Sequence, residues 1–199
     1  MSSSIETPLH YFHGQQTGSG DAQVTIFESP LCGHLNLRGN PQDEQFLEGV
    51  ESVVGVKPPT TAGSCASSGD ISIYWLGPDE WLLLLPESRR AEVESELRNK
   101  LSGHFSVVDV SGGQTLLNVR GDGVADMLKK SASYDFHSNN FPAGRCVQTH
   151  FAKATALVSK KDDGSFDLVI RRSFADYLAS WLLDAGEEFG CRVVGGGEV

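Results

Sequence analysis

Apolar positions along the chain switch between two periods, and each switch marks a change of element. A period of two, the mark of a half-buried strand, runs through 24–27 and again through 32–37. It returns in Ile71-Ser72-Ile73-Tyr74-Trp75, and Gly77-Pro78-Asp79-Glu80 then turns the chain into the apolar run 81–85, which predicts a hairpin. A period near 3.6 appears in Phe46, Leu47, Val50, Val53 and Val54. Asn40-Pro41 before them reads as a helix start, with Asn as cap and Pro at the first helical position. Ser88 predicts the cap of a second helix reaching about Leu101, with Val93 and Leu97 on one face. Strands at 105–109 and 115–119 around Gly112-Gly113 predict another hairpin, followed by a short helix over 124–130. Strands near 146–151, 154–160 and 165–170 come next, the last two flanking the Asp162-Asp163-Gly164 turn. The final helix is expected from about Phe174 to Phe189, with Tyr177, Leu178, Trp181, Leu182 and Ala185 on one stripe. Residues 57–69 and 131–144 read as loops, 1–20 as a flexible arm and 195–199 as a tail.

The order is therefore β-β-α-β-β-α followed by β-β-α-β-β-β-α, and the two runs resemble each other. Leu35-Asn36-Leu37-Arg38-Gly39-Asn40 recurs 82 residues later as Leu117-Asn118-Val119-Arg120-Gly121-Asp122. Trp81, Leu83, Leu85 and Ser88 match Phe166, Leu168, Ile170 and Ser173 at an offset of 85. Two matches at nearly one offset predict a duplicated unit. The expected fold is α+β: one internally duplicated domain over 21–194, with halves at about 21–103 and 104–194. Each half reads as a ferredoxin-like split-βαβ unit with antiparallel or mixed sheets.

Composition narrows the function classes. The 199 residues carry 26 acids against 16 bases, a net charge of −10, which opposes phosphate backbones and anionic lipid. Nucleic acid and membrane are not expected partners. The run 81–85 is far below the roughly 20 apolar residues of a membrane span, and residues 1–20 lack a charged-then-apolar leader, so the expected location is cytoplasmic. Cys32, Cys65, Cys146 and Cys191 lie 33, 81 and 45 apart with no C-x-x-C, which predicts buried thiols rather than a zinc site or a disulfide framework.

No catalytic, cofactor-binding or metal-binding residue is assigned from these patterns. The chain has no G-x-G-x-x-G, no G-x-x-x-x-G-K-[ST], no G-x-S-x-G and no His-Glu-x-x-His. His10 and His13 read as solvated arm residues. Cys146 and His150 would stand about 13 Å apart on one strand face, outside hydrogen-bond reach. Arg38 and Arg120 are expected to pair with acids across facing halves. Anion recognition is their alternative, as it is for Arg171-Arg172-Ser173 at a helix start. The arm and the 131–144 loop, polar and aromatic, are the expected contact segments.

Four strings carry a family resemblance. Leu76-Gly77-Pro78-Asp79-Glu80-Trp81-Leu82-Leu83, Val108-Asp109-Val110-Ser111, the segment from Phe141-Pro142 through Arg145-Cys146 to Gln148-Thr149, and Arg172-Ser173-Phe174-Ala175-Asp176-Tyr177-Leu178 resemble the gamma subunit of bacterial heterotetrameric sarcosine oxidase. Similar pieces occur in the wider superfamily of folate-binding aminomethyltransferases, whose N-terminal part the fold should resemble. The resemblance implies an oxidoreductase complex acting on CH–NH donors with oxygen. It converts sarcosine to glycine and peroxide and yields methylene-tetrahydrofolate, a step of sarcosine catabolism and one-carbon metabolism. It implies FAD, FMN and NAD on the alpha and beta subunits, folate on alpha, zinc on delta, and no cofactor on gamma. The expected role is a non-catalytic subunit supporting assembly of alpha and beta. The alternative is a stand-alone folate- or anion-binding module with a pocket lined by Arg38 or Arg120.

Overall fold

The computed structural model describes residues 6–18 and 20–195. Most of the expected tail and the first five residues of the expected arm lie outside that range. In chain order the described residues form β1 (Gln16–Thr17), β2 (Val24–Glu28), β3 (Cys32–Arg38), α1 (Glu44–Val54), β4 (Cys65–Ser68) and β5 (Ile71–Gly77). They continue with β6 (Glu80–Pro86), α2 (Glu87–Lys100), β7 (Ser106–Asp109), β8 (Gln114–Arg120) and α3 (Val124–Ser131). The last elements are β9 (Cys146–Phe151), β10 (Ala154–Lys160), β11 (Phe166–Arg171), α4 (Ala175–Ala185) and β12 (Cys191–Gly195). The fold is mixed α+β with two sheets. Contacts divide it into two units: a middle unit of 31–112 with 144–147, and a terminal unit holding the chain up to 30, 113–143 and everything from 148 on. The units are not consecutive in sequence, and β2 lies between β8 and β12 rather than beside β3.

The middle unit has the strand order β4-β5-β6-β3-β7, with every neighbouring pair antiparallel. β6 supplies inward Trp81, Leu83 and Leu85, and α1 lays Phe46, Leu47, Val50 and Val54 against them. The Trp81 indole is fully buried, and its Nε1 donates to the Pro59 carbonyl at 2.7 Å, which gives a core ring the partner its N–H requires. α1 starts later than Asn40-Pro41 predicts. Asn40 Oδ1 accepts from Gln42 N and caps a turn, whereas Asp43 Oδ1 accepts from Gln45 N and Phe46 N and caps the helix. α2 follows β6 directly, so Ser88 sits inside its first turn. The segment 57–69, expected as a loop, contains the polar edge strand β4.

The terminal unit has the order β1-β12-β2-β8-β11-β10-β9, in which β12 runs parallel to β2. The strands at 106–109 and 114–120 do not form the expected hairpin: β7 pairs with β3, and β8 pairs with β2 and β11. The final helix ends at Ala185. A Cβ on Gly186 would lie 2.9 Å from Cys191 Cβ, and the chain passes through a 3-10 turn into β12, a strand the periodicity did not predict. In the 131–144 segment Phe136 and Phe141 are buried and pack edge to face at 5.3 Å, so these aromatics serve the core rather than a contact surface. Residues of the expected arm pair with β12 through β1, and Leu9 is fully buried. Among the described residues no helix is long and apolar enough to cross a membrane.

Both copies of the repeated string carry, after the arginine, a glycine whose place has no room for a side chain. A Cβ on Gly39 would lie 2.3 Å from the Phe46 ring. Gly121 has φ +123°, and a Cβ there would lie 1.8 Å from the Gln23 carbonyl oxygen. Gly121→Ala is therefore expected to cost about 2–4 kcal/mol through strain and displaced backbone. That corresponds to a melting midpoint roughly 5–15 °C lower. Thermal denaturation followed by circular dichroism checks it, with exposed Gly112→Ala as the control that leaves the midpoint in place.

Candidate functional site

The two arginines of the repeat occupy equivalent strand ends, and both are engaged within their own sheet. In the middle unit, Glu80 at the start of β6 accepts from Arg38 Nη2 at 2.6 Å and from Asn36 Nδ2 at 2.8 Å. In the terminal unit, Arg120 Nε donates to Asn118 Oδ1, and its guanidinium lies 5.9 Å from the centroid of the Phe27 ring. Asn118 Nδ2 in turn donates to Asp167 Oδ1 at 2.6 Å and to Ser165 Oγ at 3.1 Å. Lys161 Nζ reaches the other oxygen of the buried Asp167 at 3.3 Å. Pairing across facing halves, as expected from the sequence, is replaced by pairing along and between neighbouring strands. The reason is reach: residue i−2 shares the strand face of a strand-end guanidinium, and the cross-strand neighbour lies directly beside it.

Two clefts border these elements. One of about 540 Å³ in the middle unit is lined by Arg38, Asn40, Asp79, His104 and Phe105. Arg38 faces it already neutralised by Glu80, and Asp79 adds a second carboxylate, so the cleft offers an anion little net attraction. The other, about 530 Å³ in the terminal unit, is lined by Asp21, Glu187 and Glu188 beside Gly18 and Gly190. Its acidity disfavours anions, and Lys130 beside it is paired with Glu188.

A set with the residue types of a hydrolytic triad lies in the middle unit, which no sequence motif revealed. His34 is 1% exposed, and its Nδ1 lies 3.1 Å from the Cys32 carbonyl oxygen while Nε2 lies 3.8 Å from Cys32 Sγ. Ser111 Oγ accepts from His34 N at 2.9 Å and donates to Asp109 Oδ1 at 2.6 Å. Ser111 thus bonds the His34 backbone instead of its ring, which is not the nucleophile-to-base connection of a triad. Burial pushes the His34 ring down to about 4, so the imidazole is neutral at pH 7 and makes no thiolate–imidazolium pair with Cys32. Burial raises Asp109, but the Ser111 hydroxyl and amide together with Arg90 outweigh it and hold the carboxyl below its ordinary value.

Several other polar candidates have structural partners, whereas Gln114 Oε1 is buried without one among the described residues. All four cysteines are free thiols; Cys146 and Cys191 are buried, while Cys32 and Cys65 are half-buried. Burial pushes Cys146 up to about 12, and its Sγ lies 3.3 Å from the Ser64 carbonyl oxygen, so it packs as a small apolar residue. His150, at the exposed end of the same strand, does not enter that contact. His13 is not a solvated arm residue: its Nε2 lies 2.8 Å from Oε2 of the fully buried Glu28, which also accepts from Thr7 Oγ1 and Leu9 N. The signal for Glu28 was present in the alternation, since Val24, Ile26 and Glu28 share the inward face. Arg172 Nη2 donates to the Glu6 carbonyl. Among the described residues no three His, Cys, Asp or Glu side chains converge as metal ligands.

Known proteins share this sequence pattern and this fold. Residues 38–188 match the model of the sarcosine oxidase, gamma subunit family. The chain is 30% identical over 184 residues to sarcosine oxidase subunit gamma of Corynebacterium sp. strain U-96, covering 88% of this chain and 85% of that protein. Its fold superposes on a chain of the heterotetrameric sarcosine oxidase of Corynebacterium sp. U-96, solved with pyrrole 2-carboxylate. The TM-score is 0.84 at 27% identity, over 93% of this chain and 96% of that one. The glycine cleavage system aminomethyltransferase T of Bartonella henselae shares the fold at 13% identity, with a TM-score of 0.66 over 87% of this chain and 48% of that one.

The buried His34 has a pH signature. Its folded value lies below the ordinary 6.5, so its contribution is complete above pH 6.5 and is lost as pH falls from 6.5 towards about 4. The shift corresponds to roughly 3 kcal/mol at pH 4. Urea midpoints at pH 7, 5 and 4 are expected to fall more steeply for the unsubstituted chain than for His34→Gln. Asp163, held low by the Ser165 hydroxyl and amide, is common to both chains and drops out of the difference. Parallel profiles would show that His34 does not titrate in this window.

Proposed function

The chain belongs to the sarcosine oxidase gamma subunit family, and we propose that it is the non-catalytic gamma subunit of a heterotetrameric sarcosine oxidase, supporting assembly of the alpha and beta subunits. The near full-length likeness to a chain of the solved heterotetramer carries this reading. The complex oxidises sarcosine to glycine with oxygen, releases peroxide and passes the methyl carbon to tetrahydrofolate. FAD, FMN and NAD belong to alpha and beta in this reading, zinc belongs to delta, and the complex is cytoplasmic. The side chains of this chain support a structural role: Arg38, Arg120, His34 and Cys146 are each held by protein partners.

We also infer that the two units arose by duplication. Three correspondences support it. Strands β5, β6, β3 and β7 have the order of a split-βαβ unit, and β10, β11, β8 and β2 take the same order in the other sheet. Leu35 faces Asp109 and Leu37 faces Val107, just as Leu117 faces Glu28 and Val119 faces Ile26. Leu37 also faces Trp81 where Val119 faces Phe166. In this reading the leading strand of each repeat, β2 or β7, pairs in the other repeat's sheet. The halves then run from about 21 and about 104, although their strands are exchanged.

Affinity capture of the tagged chain from its native cells is expected to yield a yellow complex with larger chains that oxidises sarcosine. A colourless, single, monomeric chain would overturn the subunit reading. Tetrahydrofolate titration of the isolated chain is expected to give no saturable signal. Saturable binding abolished by Arg120→Ala would favour the stand-alone folate- or anion-binding module instead.

A further inference from the structure

The terminal sheet continues past β2, whereas the middle sheet stops at β7. The two edges are otherwise built alike. The bond closing each pair is the same: Ser29 N donates to the Leu116 carbonyl at 3.0 Å, and Val110 N donates to the His34 carbonyl at 2.9 Å. In an antiparallel ladder, donor and acceptor directions alternate along a strand. The main-chain groups of Ile26 and Glu28 therefore point away from β8, and those of Val107 and Asp109 point away from β3. On β2 this outward edge is taken by β12, running parallel with Cys191 beside Val24, Val193 beside Ile26 and Gly195 beside Glu28. Cys191, Val193 and Gly195 are buried, while Arg192 is exposed.

On β7, no strand among the described residues takes the outward edge. Arg98 of α2 occupies part of it: Nη2 donates to the Val107 carbonyl and to Glu94 Oε1, and the side chain is half exposed. Val108 is 47% exposed, among the few large apolar residues so placed. A charged side chain lying over an open strand edge is a common guard against indiscriminate pairing.

Resting on the subunit reading above, we propose that the outer edge of β7 receives an extended segment of another subunit of the assembly, added parallel to β7 in the register β12 takes on β2. The incoming strand carries small or β-branched apolar side chains on the Val107 face and polar ones between them, as β12 does. Arg98 leaves the Val107 carbonyl and stays with Glu94, which frees the acceptor that the incoming N–H needs. A second copy of this chain fits less well. Pairing about a two-fold axis would be antiparallel and would bring two Arg98 guanidiniums to one edge.

Amide hydrogen exchange of the isolated full chain and of the assembled complex tests this. Val107 and Asp109 are expected to exchange fast in the isolated chain and at least about tenfold more slowly in the complex. Val108→Lys is expected to leave the melting midpoint of the isolated chain within about 2 °C, as for an exposed position. The same variant is expected to weaken incorporation into the complex about tenfold, as a lysine at an open strand edge discourages pairing. An assembled complex in which 106–109 gains no protection overturns the proposal and leaves the subunit reading intact. Protection already present in an isolated dimer would assign the edge to a second copy. Failure of any complex to form overturns both readings.

Discussion

Both sheets depend on a strand that must be hydrogen-bonded along both edges, β3 in one and β8 in the other. Each carries the repeated Leu-Asn-x-Arg-Gly string and has an apolar neighbour on one side, β6 or β11, and a short leading strand on the other. Leu35–Arg38 and Leu117–Val119 thus lie between two paired strands, and the inward side chains Leu35 and Leu37 or Leu117 and Val119 are fully buried. The glycine that ends each string follows from the same constraint. Chain or ring passes so close to the strand end that only a residue without Cβ fits, and the polar Asn and Arg just before it are turned to neighbours that can bond them.

Recruiting the second neighbour determines how the chain is threaded. β2 serves β8 across 85 intervening residues, and β7 serves β3 across 67. Loop-closure entropy grows only slowly with such lengths, so distance in sequence is a weak objection to either pairing. Burial of apolar area outweighs that cost and decides for the distant partner. The short segment 144–147 returns to the middle unit for a similar reason. Cys65 N donates to the Gly144 carbonyl and Cys146 N to the Gly63 carbonyl, which extends the β4 edge and buries the Cys146 thiol. A thiol held there at about 12 is a packing group.

What could be read from the sequence follows from how local each signal is. The 71–85 hairpin was legible because its alternation and its Gly-Pro-Asp turn lie within fifteen residues. The strands 106–109 and 114–120 carry an equally good local hairpin signal through Ser111-Gly112-Gly113, yet they belong to different sheets, because their partners are distant and the pattern holds no record of them. β12 was missed for the same reason: five residues after a helix, pairing in parallel with a strand near the other end of the chain, announce themselves by no turn. The repeat itself was visible, since Arg38 and Arg120 are fixed by neighbours two residues away or one strand over. The Cys32, His34 and Ser111 set was not, because the burial that sets its chemistry exists only after β3, β7 and α2 have met.

The polar side chains of this chain divide by what surrounds them. Those inside, such as Glu28, Asn118 and Asp167, each have several bonding partners, as burial of a charge or an amide demands. Those at strand ends, Arg38 and Arg120, are drawn into the same networks and so lose the freedom an anion clamp would need. The two sheets thus share one grammar inside and differ at one edge. The terminal unit finishes its leading strand with its own C-terminal residues, and the middle unit finishes its leading strand with an arginine from α2. A covered edge contributes stability whether or not anything else is bound, whereas an edge guarded by a single half-exposed side chain contributes little to the chain alone. The buried strands β3 and β8 are covered alike in the two sheets, and the difference between the sheets lies at the outer edges of β2 and β7.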